Sequence, residues 1–268
     1  MVESTHDLTL GADSVVKRYR SWDKGEPDRE WAGLTLLHRT APGLAPEPLE
    51  QRCEGGAPVI VMTRVPGEPL GTAPLSRRQL AALGHSLQRM YTAVPVDDLT
   101  GLPERSWVPS ELVSMLRSRI GEPHPPVSPT VEAALRAATA WVGTPEATVL
   151  AGPLVERVFT QADGNLSNFL WDEERCYVVD FEDSGVSDPA YEVADLVEHV
   201  SVWLPGLIEA DDLVKVLAFS GEQESRLLGF RRVWAVFWLL MLLPGNPGHD
   251  RNPEGSLERQ AQRVLGYL

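Results

Sequence analysis

Up to residue 64 the apolar positions mostly predict strands, and beyond it mostly helices. Asp7-Leu-Thr-Leu10 and Ser14-Val-Val-Lys-Arg-Tyr19 are β-prone, and Gly11-Ala-Asp13 between them has turn chemistry, so they predict a hairpin. Residues 27–39 predict a helix: Pro27 and Asp28 suit its start, and Trp31, Leu34, Leu37 and His38 share a face. The breaker-rich stretch 41–48 connects it to two strands, Leu49–Cys53 and Pro58–Arg64, turned by Glu54-Gly-Gly56. Val65-Pro-Gly-Glu-Pro69 is a rigid linker.

The remainder reads as mostly helical. Leu75–Thr92 carries apolar residues at 80, 83, 87 and 90, with Ser76 as its N-cap. Helices are predicted over 110–120 and 129–142, separated by Glu122-Pro-His-Pro-Pro126. Residues 148–152 and 155–161 run up to a polar loop, which Phe169–Asp172 and Cys176–Asp180 follow as short strands joined by a charged turn. Helices are expected again over 190–203, 209–220, 222–243 and 256–268. The expected architecture is α+β with two lobes. Residues 1–65 form a small antiparallel sheet with one helix, and residues 66–268 form a larger, mostly helical lobe.

Composition narrows the function. The 268 residues suit one large domain or two lobes sharing a cleft. Lys and Arg total 24 against 38 Asp and Glu, a net charge of −14, which argues against a nucleic-acid partner because that requires a basic face. The same acidity favours a cationic small substrate, or serves solubility alone. Cys53 and Cys176 have no metal-site spacing, which fits a reducing compartment. No signal peptide is visible, and the most apolar run, Val233–Leu243, is short of the ~20 residues that span a bilayer. A cytoplasmic protein with no membrane partner is the expectation. The histidines form no HxxxH or HExxH pattern, and neither a G-x-S-x-G elbow nor a Walker A loop occurs.

One constellation carries chemistry. In Gln161-Ala-Asp-Gly-Asn-Leu-Ser-Asn168 an Asp lies five residues before an Asn, and Asp180 ends an apolar run twelve residues after that Asn. Two short strands would bring Asn168 and Asp180 side by side. This is the layout of a kinase catalytic loop and its metal strand. Asp163 would orient a substrate hydroxyl, and Asn168 and Asp180 supply the hard oxygens that magnesium takes. The plainer reading is three loop-capping polar residues. Upstream, Lys17 lies on a strand whose alternation turns Val16 and Arg18 to the other face. A kinase needs such a lysine on the nucleotide phosphates and a helix glutamate to hold it. Glu30 is the natural partner, and Glu26, ahead of Pro27 and expected outside the helix, is its competitor. The backbone from Met62 through Thr63 to Val65 is where an adenine edge would be met, or is simply the end of a core strand. Asp188 reads first as a helix cap. Among Glu182, Asp183, Glu192 and Asp195, those nearer the cleft could hold a cationic substrate.

These residues resemble the aminoglycoside phosphotransferase family, small-molecule kinases of the protein-kinase-like fold with choline and homoserine kinase relatives. The likeness runs from Val15-Val-Lys17 through Arg29-Glu30-Trp31, Val61–Glu68, the 163–168 loop, Val178-Val-Asp180-Phe-Glu and Asp188-Pro-Ala-Tyr-Glu to Arg251–Gln260. It implies ATP or GTP with magnesium, and transfer of the γ-phosphoryl group to a hydroxyl of a small molecule, a cationic antibiotic such as an aminoglycoside being one candidate. By matching position it implies Asp163 as base, Asn168 and Asp180 as metal ligands and Lys17 as phosphate clamp. Three departures stand out. Gln161-Ala162 replaces the usual His-Gly before the catalytic Asp. The glycine-rich turn expected before the Lys strand has only Met1–Leu10 to occupy, with Ser4-Thr-His6 as a stand-in. Glu192 replaces an Asp. The alternative function is a pseudokinase or nucleotide-regulated binding protein with little phosphotransfer.

Overall fold

The computed structural model describes residues 6–246 and 248–268; Ser4 and Thr5, part of the stand-in for a phosphate loop, lie outside them. The first sheet contains β1 (His6–Leu10) and β2 (Ser14–Tyr19), followed by the helix α1 (Glu26–Thr40), then β3 (Pro48–Glu54) and β4 (Ala57–Thr63). Its order is β1-β2-β4-β3, every neighbour antiparallel, so β2 is an interior strand. Alternation along β2 sends Lys17 and Tyr19 to the face that α1 covers, and both are buried. Helix α1 starts at Glu26 rather than after it, because Gly25 takes the left-handed N-cap conformation (φ 77°) and Pro27 fits the first turn. Its buried side carries Glu30, Leu34 and Leu37, whereas His38, expected on that side, is exposed.

Beyond β4 the chain passes through β5 (Glu68–Pro69) into α2 (Arg77–Thr92), α3 (Val96–Leu99), α4 (Pro109–Arg119), α5 (Pro129–Val142) and α6 (Pro145–Leu150). Four short strands follow: β6 (Val158–Thr160), β7 (Phe169–Trp171), β8 (Cys176–Val178) and β9 (Gly185–Ser187). The chain then forms α7 (Pro189–Glu198), α8 (Val200–Trp203), α9 (Ala210–Leu217), α10 (Gly221–Met241) and α11 (Ser256–Tyr267). Ser76 caps α2 as expected, in a reciprocal capping box with Gln79. The linker is less free than its composition suggests. Glu68 and Pro69 pair with Trp171 and Leu170, and a Cβ on Gly67 would lie 2.6 Å from the Trp171 carbonyl carbon.

Two short sheets frame the centre of the molecule, β5-β7-β8 and the pair β6-β9. Strand β9 and helix α3 have no counterpart in the sequence reading, and residues 148–152 fall at the end of α6. The helix expected over 190–203 is broken at His199, whose extended backbone (ψ 129°) separates α7 from α8. Every residue of α7 is buried, and Asp188 caps it by accepting the Ala190 N–H at 2.8 Å. Helix α10 buries Val233, Trp234, Val236, Leu239 and Leu240, the core helix expected of the most apolar run. Among the described residues no helix is long and apolar enough to cross a membrane.

Candidate active site

Two consecutive side-chain turns fold the loop after β6. Asp163 accepts the Asn165 N–H on Oδ1 at 3.0 Å, and Asn165 accepts the Ser167 N–H at 3.1 Å. A 3-10 turn over Leu166–Asn168 then brings the Asn168 amide back, and its Nδ2 donates to Asp163 Oδ2 at 2.7 Å. Pairing of β7 with β8 sets the other side: the Val179 N–H donates to the Asn168 carbonyl at 2.9 Å, one residue before Asp180. The structure therefore brings Asp163, Asn168 and the Asp180 segment to one end of the β7-β8 hairpin.

Gln161 occupies the first position of the departure from His-Gly-Asp. It is buried, its Nε2 donates to the Asp180 carbonyl at 2.7 Å, and its Oε1 accepts the Asp163 N–H at 3.0 Å. Ala162, at the second position, has φ 72°, and Asp180 has φ 66°. Side chains other than glycine meet a steric cost there of about 1–2 kcal/mol each, so the surrounding contacts must hold these two residues in place. Gly164 does the converse: a Cβ on it would lie 2.6 Å from the Asp195 carbonyl oxygen, so the loop sits flush against α7.

Lys17 is enclosed by three carboxylates. Its Nζ lies 2.6 Å from Glu30 Oε2, 2.5 Å from Asp180 Oδ1 and 2.9 Å from Glu182 Oε2. The Tyr19 hydroxyl also donates to Glu30 Oε2. Glu30 is thus the partner of Lys17. Glu26 instead accepts the Lys24 N–H at 2.9 Å, inside the first turn of α1. Residues 163 positions apart in sequence, Lys17 and Asp180, join the first sheet to the loop region.

Burial and charge set the protonation of this cluster. Desolvation, with the nearby Asp180 charge, pushes the Asp163 carboxyl up to about 6, against the bonds from Asn165 and Asn168. Burial raises Glu30 as well, with Lys17 pulling the other way. For Glu182, burial is outweighed by the hydrogen bond to His6 and the charge of Lys17, and its carboxyl falls to about 2. Burial disfavours the Lys17 ammonium, but Glu30, Asp180 and Glu182 together hold it above the ordinary lysine range.

The donor set fits a hard divalent cation. With its nitrogen on Asp163, the Asn168 amide offers its oxygen, and Asp180 offers a carboxylate that is one-quarter exposed. The three adenine-edge candidates differ in what their groups already do. Met62 is buried in an interior strand, and the Thr63 N–H is committed to the Glu47 carbonyl at 2.9 Å. Val65 lies past the end of β4 and is half-buried.

Most of the acidic run is committed within the fold. Asp188 is a cap, Glu182 lies against Lys17, and Glu192 and Asp195 are buried against Arg105, whose Nη1 and Nη2 lie 2.6 and 3.0 Å from them; Asp183 is half-buried. Arg105, Tyr19 and the bridging role of Gln161 escaped the sequence reading. Arg105 meets the loop across 57 residues of chain, a pairing without a local pattern, whereas Gln161 was visible as a departure whose partners only the fold supplies.

The sequence model of the phosphotransferase enzyme family matches residues 6–260. A comparison with curated protein sequences gives no match. Among solved structures, a choline/ethanolamine kinase family protein from Mesorhizobium loti is similar with a TM-score of 0.67 at 16% identity, over 100% of this chain and 86% of that one. Spectinomycin phosphotransferase in complex with ADP and spectinomycin is similar at 0.61 and 14% identity, over 99% and 85%. A choline kinase from Streptococcus pneumoniae is similar at 0.61 and 16% identity, over 100% and 90%. The fold is thus the bilobed, protein-kinase-like one.

Proposed function

We propose that this chain, which belongs to the phosphotransferase enzyme family, transfers the γ-phosphoryl group of ATP or GTP to a hydroxyl group of a small molecule. The observation that carries this reading is the convergence of Asp163, Asn168 and Asp180 at one hairpin end, with Lys17 reaching Asp180 from the first sheet. In it, residues 1–65 are the nucleotide-binding lobe and residues 66–268 the catalytic and acceptor-binding lobe. Asp163 accepts the proton of the acceptor hydroxyl and aims its oxygen at phosphorus. Lys17, oriented by Glu30, neutralises phosphate charge, and the backbone between Met62 and Val65 meets the base of the nucleotide. Asn168 and Asp180 hold magnesium, which when bound screens the charge on the triphosphate. Catalysis on this scheme is mostly positioning and electrostatics.

The acceptor is a small hydroxyl compound. The net charge of −14 favours a cationic one, such as an aminoglycoside, by long-range steering, although the buried acids near the loop contribute no direct contact. A nucleotide-regulated binding protein is the second reading. It is favoured by the enclosure of Lys17 in three carboxylates, where the clamp proposed above needs Glu30 alone. The discriminating experiment is a nucleotide-consumption screen over hydroxylated cationic and neutral compounds, with and without magnesium, run beside Asp163→Asn. Magnesium-dependent consumption with one acceptor class, lost in the variant, supports the enzyme. Magnesium-dependent nucleotide binding without consumption by any acceptor supports the binding protein.

A further inference from the structure

Arg105 is 4% exposed and belongs to no helix or strand, yet its own backbone is tightly placed. Its N–H donates to the Val186 carbonyl at 3.1 Å, the Val186 N–H donates to the Pro103 carbonyl at 2.9 Å, and the Ser106 N–H donates to the Asp183 carbonyl at 3.1 Å. A Cβ on Gly185 would lie 2.5 Å from the Arg105 nitrogen, so β9 and this segment are in close contact. From that base the guanidinium reaches under the loop. Nη2 donates to the Ala162 carbonyl at 2.8 Å and to Asp195 Oδ2 at 3.0 Å, Nη1 donates to Glu192 Oε1 at 2.6 Å, and Nε donates to the Ser106 carbonyl at 2.8 Å. The Tyr191 ring lies 5.1 Å from its charged carbon.

We propose that Arg105 is a positioning residue for Asp163: it holds the Ala162 carbonyl, and with it the strained backbone that aims Asp163 at the acceptor. This inference rests on the catalytic role proposed for Asp163. Ala162 sits at φ 72°, a conformation that persists in a non-glycine residue only where neighbours over-determine it. Gln161 fixes the residue before it and Gly164 packs on α7 after it, which leaves the Ala162 carbonyl as the point that Arg105 holds. A lysine carries the charge on a single nitrogen and lacks the planar fork by which Nη1 reaches Glu192 while Nη2 reaches Ala162 and Asp195. A buried ion triad is also a poor source of stability compared with apolar packing, so geometry is what this one supplies. Glu192, the Glu that stands in place of the family's usual Asp, takes part: its Oε1 accepts from both Arg105 and the Ser187 hydroxyl, at 2.6 Å each.

The test uses the full chain with Arg105→Lys, which keeps a cation beside Glu192 and Asp195, and Arg105→Gln/Glu192→Gln, which removes one charge of each sign. The expected result in folded protein is a fall in kcat on the order of 100-fold, with the Mg-dependent nucleotide Kd changed by less than about twofold. Hydrogen exchange supplies a readout independent of turnover. The Asp163 and Asn165 amides should exchange at least ~10-fold faster, while the amides of α10 keep their protection. A folded variant with kcat within about twofold of the parent and unchanged loop exchange overturns the proposal. So does a parallel loss of nucleotide binding and α10 protection, or the unfolding of both variants, which would mark a purely structural pair. If the parent chain transfers no phosphoryl group to any acceptor, the catalytic reading fails on its own, and loop exchange alone decides whether Arg105 anchors the loop.

Discussion

Gln161 and Asp180 are joined across the site: the amide nitrogen of Gln161 donates to the main-chain carbonyl of Asp180 at 2.7 Å, while the oxygen of the same side chain receives the Asp163 N–H. One buried amide thus ties the loop to the strand that delivers Asp180, in the position where the resemblance leads one to expect a histidine. Gln161→Ala removes both bonds and leaves a donor and an acceptor without partners. It should cost about 2–4 kcal/mol in urea unfolding. Loop geometry suffers with it, so turnover should fall by about 10- to 100-fold. A variant as stable and active as the parent would show that the bridge holds nothing.

Asp163 gives a pH dependence with a definite sign. Burial first, and then the Asp180 charge, lift its carboxyl to about 6. A carboxyl raised on folding binds its proton more tightly in the native state, so its contribution to stability is full below the ordinary carboxylate range and is lost as pH rises through about 6. Activity moves oppositely, because the base works only as a carboxylate. The acid limb of kcat/KM should therefore lie near or below pH 6, the lower value applying when a divalent cation offsets Asp180. Asp163→Asn should abolish turnover, flatten the stability change between about pH 4 and 7 and leave the fold intact. Retained turnover in that variant would end the proposed role.

The lobes, the order of their main elements and the loop were legible because each rests on local signals: alternation in β2, the capping box at Ser76, the spacing from Asp163 to Asn168. What was not legible depends on partners distant in sequence. The break at His199 lies within an unbroken apolar pattern, and β9 is three residues long and pairs with another strand of three. The acids Glu192 and Asp195 looked like candidates for a cation-binding surface, but the fold buries them against an arginine some 90 positions earlier. Periodicity reports which residues turn inward and leaves the partner of a buried charge open.

The Lys17 cluster predicts an asymmetry between its members. Lys17→Met leaves Glu30 and Asp180 without the ammonium they share with Glu182, and removing that cation from such a group should cost about 3–5 kcal/mol. Glu30→Gln leaves Lys17 two carboxylates and should cost less, about 1–2 kcal/mol. Urea titrations measure both, since urea does not screen charge as guanidinium does. Equal losses would mean that the three acids do not depend on Lys17.

Magnesium and nucleotide should act together on stability. At 100 times Kd a ligand adds about 2.7 kcal/mol, several degrees in Tm for a chain of this size. ATP or GTP should raise Tm by that much only with magnesium. Asn168→Ala should remove the magnesium-dependent part while leaving the Tm of the free protein within a few degrees. A full shift in the variant would take Asn168 out of the metal set.

Ala162 offers a substitution that should stabilise. Its left-handed backbone costs an alanine about 1–2 kcal/mol that glycine does not incur. Against this, glycine loses about 0.4–1 kcal/mol more on folding, because its unfolded state is freer. The difference favours Ala162→Gly by up to about 1.5 kcal/mol, or roughly 3–6 °C in Tm. The Ala162 carbonyl, and so its bond to Arg105, survives the change, and turnover should stay near that of the parent. A fall in Tm would mean that the methyl group, 5% exposed in the pocket behind the loop, contributes more by packing than the backbone conformation costs. The loop would then have adapted to alanine through its side chain. A rise would place the departure from glycine among the destabilising features of the site, held in place by Gln161 on one side and Arg105 on the other.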